Sequence, residues 1–437
     1  MDQKQYVQWF RNTSPYINAH RGKTVVLLLN GESFADNNLP NIIHDIATLN
    51  SLGTRLCIVI GARPQITARL DEHQVANEIF EGLRVTSDEA LPHIKDAVGH
   101  LRLQLEALLS MGLPNSPMHG ADIRVSSGNY ITAQPIGVRN GKDYGHTGEI
   151  RRIDHDAILE DLDRGRIVLI PPLGYSPTGE VFNLSSENVT TEVCQAISAD
   201  KLVLFQANEG VLDDQRIVRE LTPLKIQKIL KDDVQDEITQ ANLKCSLVAL
   251  LHVPRVHLVS YQSDGALLQE LYTLNGCGTL LTREPSEVMR QANINDVAGI
   301  LDLIQPLEEK GILVKRSREL LEQEIEKFYV MDWEGMIVGC AALYTYPDAS
   351  GTDLWGELAC VVIHPDFRGD DRGERLLKFV EQCAKLIQLE QIFVLTTHTG
   401  HWFVEQGFAQ IQPEQLPPAR KELYNWQRNS RILLKRI

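Results

Sequence analysis

Five short, almost purely apolar runs within the first 260 residues restrict the fold more than any other feature of this sequence. They are Thr24–Leu29, Leu56–Ile60, Ile167–Ile170, Leu202–Phe205 and Val256–Val259. Strands that are apolar on both sides are covered on both faces, as in the parallel sheets of α/β proteins. Segments with helical spacing, such as 41–52, 101–109 and 191–198, lie between many of them. The sequence therefore predicts an open, mostly parallel α/β sandwich over this region.

A second, smaller α/β unit is predicted from about residue 292, because 437 residues exceed one ordinary domain. It would begin with a helix over 293–307, followed by a hairpin that turns at 333–335. The polar stretch between the two units contains Pro285 and is predicted to be a linker. The predicted organisation is an N-terminal helix (1–22), a first domain (23–283), a linker (284–291) and a second domain (292–437).

Composition excludes several classes of protein. The net charge of −15, from 43 basic and 58 acidic residues, argues against nucleic acid or an anionic membrane as the main partner. No run of 18 apolar residues is present, so no transmembrane helix is expected. The first ten residues lack the apolar core of a secretory signal, and the seven cysteines are dispersed without a CxxC pair. We therefore expect a cytoplasmic protein with reduced thiols and no metal site.

The segment from Leu358 to Val380 carries the clearest chemical signal. An apolar strand runs into a turn rich in Gly and Arg, and the turn leads into an amphipathic helix. The first N–H groups of a helix bind anions, and Arg368 and Arg372 would add charged donors suited to phosphate. The pattern predicts a pyrophosphate-binding turn, although an ordinary strand-to-helix turn with solvated arginines has the same sequence pattern.

The residues around this turn resemble motif A of the GNAT superfamily of N-acetyltransferases. The match is His-Pro-x-aromatic-Arg from His364 onwards, followed by a glycine and a Leu-Leu pair. The chain departs from the family at Asp371, where glycine is common. The resemblance implies that acetyl-CoA binds along the strand and the turn, through Cys360, Val361, Val362, Ile363, Arg368, Gly369, Asp370, Asp371, Arg372 and Gly373.

Three further segments, 311–322, 395–408 and 423–433, resemble bacterial N-acetylglutamate synthases. This resemblance implies transfer of acetyl from the co-substrate acetyl-CoA to the amine of L-glutamate, the first step of arginine biosynthesis, without another cofactor. It also implies that the acceptor is held by Arg316, Arg428 and Ser430, which suits a substrate with two carboxylates. From the residues alone, Arg316 could begin a solvated helix and Arg428 could lie in a basic surface tail.

Two mechanisms are open for the transfer. Glu357 directly precedes the apolar strand, and we expect it to act as general base, through water. A backbone N–H near Cys360 and Val361 would stabilise the oxyanion. Alternatively, Cys360 forms an acetyl-cysteine intermediate, but no histidine adjoins it in the sequence. We favour direct attack by the amine and a packing role for Cys360, with a surface position for Glu357 as the plain alternative.

The first domain resembles the amino-acid kinase family, in particular acetylglutamate kinase. The matches are the turns at 30–31, 61–66 and 183–187 and the segment 264–279. Such kinases carry a lysine on the first strand, but here that strand has no charged residue over 25–29, and Gln206-Ala207 replaces the usual Thr-Asp. Phosphoryl transfer depends on charge neutralisation, so kinase activity is not expected. An active acetylglutamate kinase is the alternative enzyme.

A kinase-like domain without its catalytic charges suggests a regulatory role. In arginine-sensitive relatives this domain binds arginine, and an N-terminal helix completes the site and joins dimers into hexamers. The resemblance implies such a helix over 6–19, kinked by Pro15, which would present Trp9, Phe10, Tyr16 and Ile17 to a neighbouring dimer. We therefore expect a hexameric homo-oligomer that arginine inhibits.

The predicted arginine site includes Tyr16, Glu270, Gly276 and Gly278. On the sequence alone, Glu270 fits equally well as an ordinary helix residue. A non-catalytic arginine sensor with an inactive acetyltransferase unit is the remaining alternative function.

Overall fold

The structure, a computed structural model, describes residues 3–213, 216–232, 235–273, 276–284, 287–333, 335–348, 351, 354–369, 371–397, 399–424 and 430–437. The chain divides into two units, residues 1–284 and 285–437, and each is described by itself. None of the described helices is long and apolar enough to span a bilayer.

The first unit contains both helices and strands, with runs of several strands between some of its helices. Its described helices are α1 (Gln3–His20), α2 (Leu39–Ser51), α3 (Arg63–Glu72), α4 (Ala90–Leu109), α5 (His155–Asp163), α6 (Ser186–Ala196), α7 (Pro223–Asp232), α8 (Glu237–Ala249) and α9 (Ala266–Tyr272). Its described strands are β1 (Thr24–Leu29), β2 (Arg55–Ile60), β3 (Ile79–Phe80), β4 (Leu83–Arg84), β5 (Val125–Ser127), β6 (Ile131–Pro135), β7 (Val138–Arg139), β8 (Lys142–Asp143), β9 (Gly148–Ile153), β10 (Ile167–Ile170), β11 (Leu173–Tyr175), β12 (Val181–Asn183), β13 (Lys201–Gln206), β14 (Leu212–Asp213), β15 (Arg216–Ile217), β16 (Glu220–Leu221), β17 (Arg255–Ser260) and β18 (Thr279–Thr282).

An eight-stranded sheet forms the centre of the first unit, in the order β16-β18-β17-β13-β1-β2-β10-β5. Neighbouring strands run parallel except β17 and β18. Successive residues of β1 point to opposite faces. Leu27 packs in one core with α2, α3, α4 and α9, whereas Val26 and Leu28 pack in a second core with α5, α6 and α8. Two covered faces explain why the central strands are apolar throughout.

The predicted parallel sandwich is confirmed, and each of the five apolar runs lies in a strand of this sheet. A separate four-stranded sheet, β12-β11-β6-β9, has no counterpart among the predicted strands. Its strands are short, and β6 ends in two exposed residues after alternating burial. No continuous apolar run therefore marks these strands in the sequence.

Helix α1 lies over the predicted N-terminal helix and includes Pro15. Tyr16 and Ile17 pack against the core that α2, α4 and α9 share. These two residues pack against their own chain and remain partly exposed, and their contact with a neighbouring dimer stays a prediction. Phe10 is exposed, as that prediction requires, and the side chain of Trp9 lies outside the described residues.

The second unit contains a seven-stranded sheet with helices packed against it. Its described strands are β19 (Glu287–Gln291), β20 (Phe328–Trp333), β21 (Met336–Pro347), β22 (Leu354–Ile363), β23 (Gln391–Thr396), β24 (Ala409–Ile411) and β25 (Arg431–Arg436). Its described helices are α10 (Val297–Glu309), α11 (Arg318–Gln323), α12 (Arg372–Leu386), α13 (Gly400–Glu405) and α14 (Pro418–Glu422). The strand order is β19-β20-β21-β22-β23-β25-β24, and all neighbours are antiparallel except β22 and β23.

The predicted linker differs from the structure. Most of the stretch 284–291 is strand β19, which pairs with β20 along its whole length. This strand lies at the edge of the sheet, and four of its five side chains are at least partly exposed. Because an edge strand of this kind tolerates polar residues, its sequence resembles that of a linker.

Asp45 on α2 leads to a prediction about stability. The residue is 7% exposed, and burial, with the nearby charge of Asp264, raises its pKa from 3.8 to about 7. The folded protein therefore keeps a proton that the unfolded chain has lost, and stability falls as pH rises between these two values. We expect Asp45→Asn to raise the free energy of unfolding by about 1–3 kcal/mol at pH 8 and by little at pH 4.

Urea unfolding at pH 4 and pH 8 measures this difference. Glu192→Gln is the matched control, because Glu192 is an exposed carboxylate on α6 of the same unit. It should have the same small effect at both pH values. An equal effect of Asp45→Asn at both pH values would contradict a protonated Asp45.

Candidate functional site

Strands β22 and β23 separate where the candidate site begins. They pair in parallel from Trp355–Gln391 to Leu358–Val394, and both strands continue beyond this point. The backbone of β22 beyond Leu358 therefore faces a gap on the side where β23 had been its neighbour. Backbone N–H and C=O groups at such a gap can pair with an extended ligand, as the edge of a sheet does.

A β-bulge in β22 lies directly beyond the point of separation. The register shifts between Cys340 and Ala342 of β21, which leaves Cys360 and Val361 of β22 together opposite one residue. Cys360 has a φ of 50°, in the left-handed region that few residues other than glycine adopt. A bulge redirects the local backbone. It therefore sets the direction of the N–H groups that we predicted to hold the oxyanion.

The Cys360 side chain is buried, with 5% of its surface exposed. Burial raises the pKa of the Cys360 thiol to about 11, so the thiol is protonated at neutral pH. The thiolate is the nucleophilic form of cysteine. This environment favours the packing role of Cys360 over nucleophilic attack.

The turn after β22 leads into α12, as predicted. Asp371, at the start of the helix, has a φ of 54°, a conformation that glycine adopts most readily. This explains how an aspartate can replace the usual glycine, since aspartate tolerates this region better than most residues. Gly373 lies in the first turn, where a Cβ would approach the Trp402 ring to 3.3 Å. Arg368 is exposed, and Asp370 lies outside the described residues.

Arg372 faces the interior of the unit, and the prediction that its side chain binds phosphate is wrong. Its Nε donates to Glu287 Oε2 at 2.7 Å, and its Nη1 donates to the Phe367 carbonyl oxygen at 3.3 Å. The guanidinium also lies 5.6 Å and 5.7 Å from the ring centres of Trp333 and Phe367. Residue 372 lies on the side of the first turn of α12 that faces the interior of the unit.

Glu357 lies on β22 just before the strands separate, and it is buried. Its Oε2 accepts a hydrogen bond from Arg420 Nε at 2.6 Å, and its Oε1 accepts one from Arg420 Nη2 at 2.9 Å. Arg420 belongs to α14 and also donates to the Leu423 carbonyl oxygen at 3.2 Å. No motif pointed to Arg420, which lies 63 residues from its partner. The available signal was that a buried carboxylate needs a cation.

Arg316 approaches the same region from the segment before α11. Its guanidinium lies close to the Tyr344 hydroxyl and the Cys360 thiol. The Tyr344 hydroxyl in turn donates to Glu324 Oε2 at 2.9 Å. Tyr344 stands directly opposite Glu357 in the β21–β22 register, so their side chains share one face of the sheet. The structure therefore brings Arg316, Cys360 and Glu357 together.

The other two predicted acceptor residues lie near the C-terminus. Ser430 directly precedes β25, and its carbonyl oxygen accepts a hydrogen bond from the Tyr424 hydroxyl at 2.8 Å. Arg428 lies outside the described residues. The described part of this site includes the guanidinium groups of Arg316 and Arg420, which can bind carboxylates, and the carboxylate of Glu357, which can accept a proton from an amine.

In the first unit, three of the four predicted arginine-site residues lie together. Glu270 Oε2 accepts hydrogen bonds from the backbone N–H groups of Cys277 at 2.9 Å and Gly278 at 2.8 Å, and Oε1 lies 2.7 Å from His257 Nδ1. A Cβ at Gly276 would collide with the Glu270 carboxylate. Burial acts to raise the pKa of Glu270, but the hydrogen bonds from His257 and the two amides lower it to about 2. Glu270 is therefore a buried carboxylate that is ionised at neutral pH.

Two histidines extend this buried cluster. The Nε2 atoms of His20 and His257 have no hydrogen-bond partner among the described residues. His20 Nδ1 lies 2.7 Å from the Tyr16 carbonyl oxygen, and its ring centre lies 5.2 Å from that of Tyr272. Burial lowers the pKa of His20 to about 4, and the nearby His257 acts in the same direction. The signal that could have found His257 is its position as the polar residue in the apolar run 256–259.

The kinase-like turns at 61–66 and 183–187 line one cavity of about 60 Å³. Its walls include Arg63, Arg84 and Glu187. Strand β1, which carries the catalytic lysine in the kinases this domain resembles, is buried along its whole length and contains no charged residue.

Comparisons with known proteins agree with this division. Residues 23–256 match the Amino acid kinase family, and residues 324–410 match the Acetyltransferase (GNAT) domain. An amino-acid acetyltransferase of Pseudomonas putida is 50% identical over 434 residues, which cover 98% of this chain and 99% of the relative. An amino-acid acetyltransferase of Azotobacter vinelandii is 49% identical, with 99% and 100% of the two chains covered.

Two solved structures of N-acetylglutamate synthase from Neisseria gonorrhoeae are also similar. The complex with coenzyme A and L-arginine has a TM-score of 0.86 and 34% identity, over 99% of both chains. The complex with coenzyme A and N-acetyl-glutamate has a TM-score of 0.62 and 35% identity, again over 99% of both chains.

These similarities confirm the resemblances found in the sequence, to the amino-acid kinase family in the first unit and to GNAT acetyltransferases in the second. Because a relative that is 50% identical covers nearly the whole length of both chains, this enzyme belongs to the amino-acid acetyltransferase family.

Proposed function

We propose that this enzyme transfers the acetyl group of acetyl-CoA to the amine of L-glutamate, giving N-acetyl-L-glutamate and CoA. The observation that carries the proposal is the gap between β22 and β23, with the bulge at Cys360 just beyond the point of separation. The exposed strand backbone can pair with the amide-bearing arm of CoA, and the start of α12 can hold its pyrophosphate. The similar synthase bound to coenzyme A and N-acetyl-glutamate supports glutamate as the acceptor.

In the proposed reaction, the glutamate ammonium gives a proton to Glu357 through a water molecule. The freed amine nitrogen attacks the thioester carbonyl carbon, and a C–N bond forms. The backbone N–H groups at Cys360 and Val361 donate to the oxyanion. Collapse of this intermediate breaks the C–S bond, the nitrogen loses its second proton to give the amide, and the departing CoA thiolate takes up that proton. Arg368 and the N–H groups at the start of α12 bind the pyrophosphate.

A thiol-release assay with acetyl-CoA and L-glutamate tests this proposal. We expect Glu357→Gln to lower kcat by about 10²–10⁴-fold, because it removes the proton acceptor. Cys360→Ala is the matched variant on the same strand, and it should keep much of the activity. A labelled acetyl group trapped on the enzyme without glutamate would contradict direct transfer. Thiol release that does not depend on glutamate would refute the substrate, and an ATP requirement would favour the kinase alternative.

We propose that Arg316, Arg428 and Ser430 hold the acceptor carboxylates. Arg428→Ala should weaken glutamate binding by about ten- to a hundred-fold, because a charge-assisted hydrogen bond contributes roughly 1.5–3 kcal/mol. Separate measurement of KM for glutamate and for acetyl-CoA checks this. An equal rise in both KM values would rule out a dedicated acceptor role for Arg428.

We further propose that arginine binds in the first unit and inhibits the enzyme, as an end product of its pathway. The ionised carboxylate of Glu270 can accept hydrogen bonds from a guanidinium, and Tyr16, Gly276 and Gly278 complete the proposed site. The similar synthase bound to L-arginine supports this assignment. Assembly into hexamers and a cytoplasmic location belong to the same proposal, the second supported by seven cysteines that are all free thiols.

Deletion of residues 1–20 tests the regulatory part. It removes Tyr16 and His20, so the truncated protein should still acetylate glutamate but bind arginine more weakly. Phe10→Ser is the control, because it changes an exposed residue of α1 and leaves the buried end of the helix intact. It should reduce the oligomer mass while keeping arginine binding. Unchanged mass and unchanged arginine inhibition in the truncated protein would contradict both roles of α1.

A further inference from the structure

We infer that Arg420 is a receptor for a carboxylate of the acceptor amino acid, and that Glu357 occupies this receptor while no acceptor is bound. This role of Arg420 presupposes the proposed transfer to glutamate. It adds a specificity-determining residue that no motif in the sequence marks.

The geometry of the ion pair is that of a ligand site. Arg420 offers Nε and Nη2 to the two oxygens of Glu357, at 2.6 Å and 2.9 Å. This two-pronged arrangement is the one that arginine uses to bind free carboxylates. Both side chains are largely buried, with 16% of Arg420 and 9% of Glu357 exposed. The group that Arg420 holds is a glutamate side chain, chemically identical to that of the proposed substrate.

The ion pair conflicts with the task of Glu357 as a base. Both of its oxygens accept hydrogen bonds from Arg420, and the Tyr346 hydroxyl lies nearby. Arg420 occupies one lone-pair position on each Glu357 oxygen, and opening of the pair frees these positions for a proton from the amine. Opening it without a replacement would leave a buried guanidinium unpaired, which is strongly unfavourable. A carboxylate of the incoming amino acid pairs with Arg420 and removes this cost. Binding of the acceptor is therefore coupled to the release of Glu357 from Arg420.

The position of Arg420 in the chain also suits acceptor binding. It lies in the C-terminal segment that carries the proposed acceptor residues, and Tyr424, four residues later, is hydrogen-bonded to Ser430. Its partner Glu357 stands opposite Tyr344, whose hydroxyl contacts Arg316. The guanidinium groups of Arg316 and Arg420 therefore lie at one face of the β21–β22 pair. An amino acid with two carboxylates requires two such cationic partners.

Calorimetric titration of the full-length enzyme with L-glutamate, in the presence of CoA so that no turnover occurs, tests this role. Arg420→Gln should weaken glutamate binding about tenfold or more and leave CoA binding unchanged. Glu357→Gln should tighten glutamate binding by about three- to tenfold, because it removes the charge of the internal competitor, even though kcat falls. Glu381→Gln, which breaks the Glu381–Lys435 ion pair elsewhere in the unit, is the control and should leave glutamate binding unchanged.

A second comparison uses the unaltered enzyme, in case the Arg420 variant folds poorly. L-Glutamine lacks one carboxylate and should bind at least about tenfold more weakly than glutamate. Arg420→Lys, which keeps the charge but loses the fork, should reduce this preference. Unchanged glutamate binding in both the Glu357 and Arg420 variants would overturn the receptor role alone. Failure of the unaltered enzyme to bind glutamate would refute the proposed function, and the receptor role with it.

Discussion

The separation of β22 from β23 after Leu358 and Val394 is the constraint on which the second unit depends. Two parallel strands normally satisfy each other's backbone groups along their whole length, and here they stop doing so inside the sheet. The β22 residues beyond Leu358 no longer pair with β23, and the bulge at Cys360 changes the direction of the backbone there. The start of α12 follows the same strand, so one short stretch of chain contains the backbone edge, the bulge and the helix N-terminus to which the proposed function assigns the CoA arm, the oxyanion and the pyrophosphate.

Sequence patterns predicted the features that depend on residues close together in the chain. The central strands of the first unit were recognisable because both of their faces are buried, and the turn before α12 because its residue types are specific. The face on which Arg372 lies depends on how α12 packs against the sheet, and spacing along the chain does not contain this information. The pair between Glu357 and Arg420 joins residues 63 positions apart, so no periodicity reports it. The edge strand β19 was hidden for a different reason, since its exposed side chains are polar.

The first unit has a kinase-like sheet, but its buried charged and polar side chains do not lie on the first strand. Its first strand contains only apolar residues after Thr24, while Glu270, His257 and His20 form a buried polar cluster beside α9. A buried polar atom without a partner costs roughly 1–3 kcal/mol. The Nε2 atoms of His20 and His257 have no protein partner in the described part of the chain. Water or a ligand of the proposed arginine site can supply these hydrogen bonds.

The ion pair between Glu287 and Arg372 has an evolutionary consequence. Each charge is buried, and loss of Glu287 removes the carboxylate that the Arg372 guanidinium faces, at a cost of about 3–5 kcal/mol. Loss of Arg372 costs less, because Arg375 Nη2 also lies 2.7 Å from Glu287 Oε1. Replacement of both residues by apolar ones of similar volume is close to neutral by the same reasoning. The glutamate is therefore expected to persist without the arginine more readily than the arginine without the glutamate. A lineage that has lost the acidic residue on β19 should also have lost the arginine in this motif, with no change in coenzyme binding.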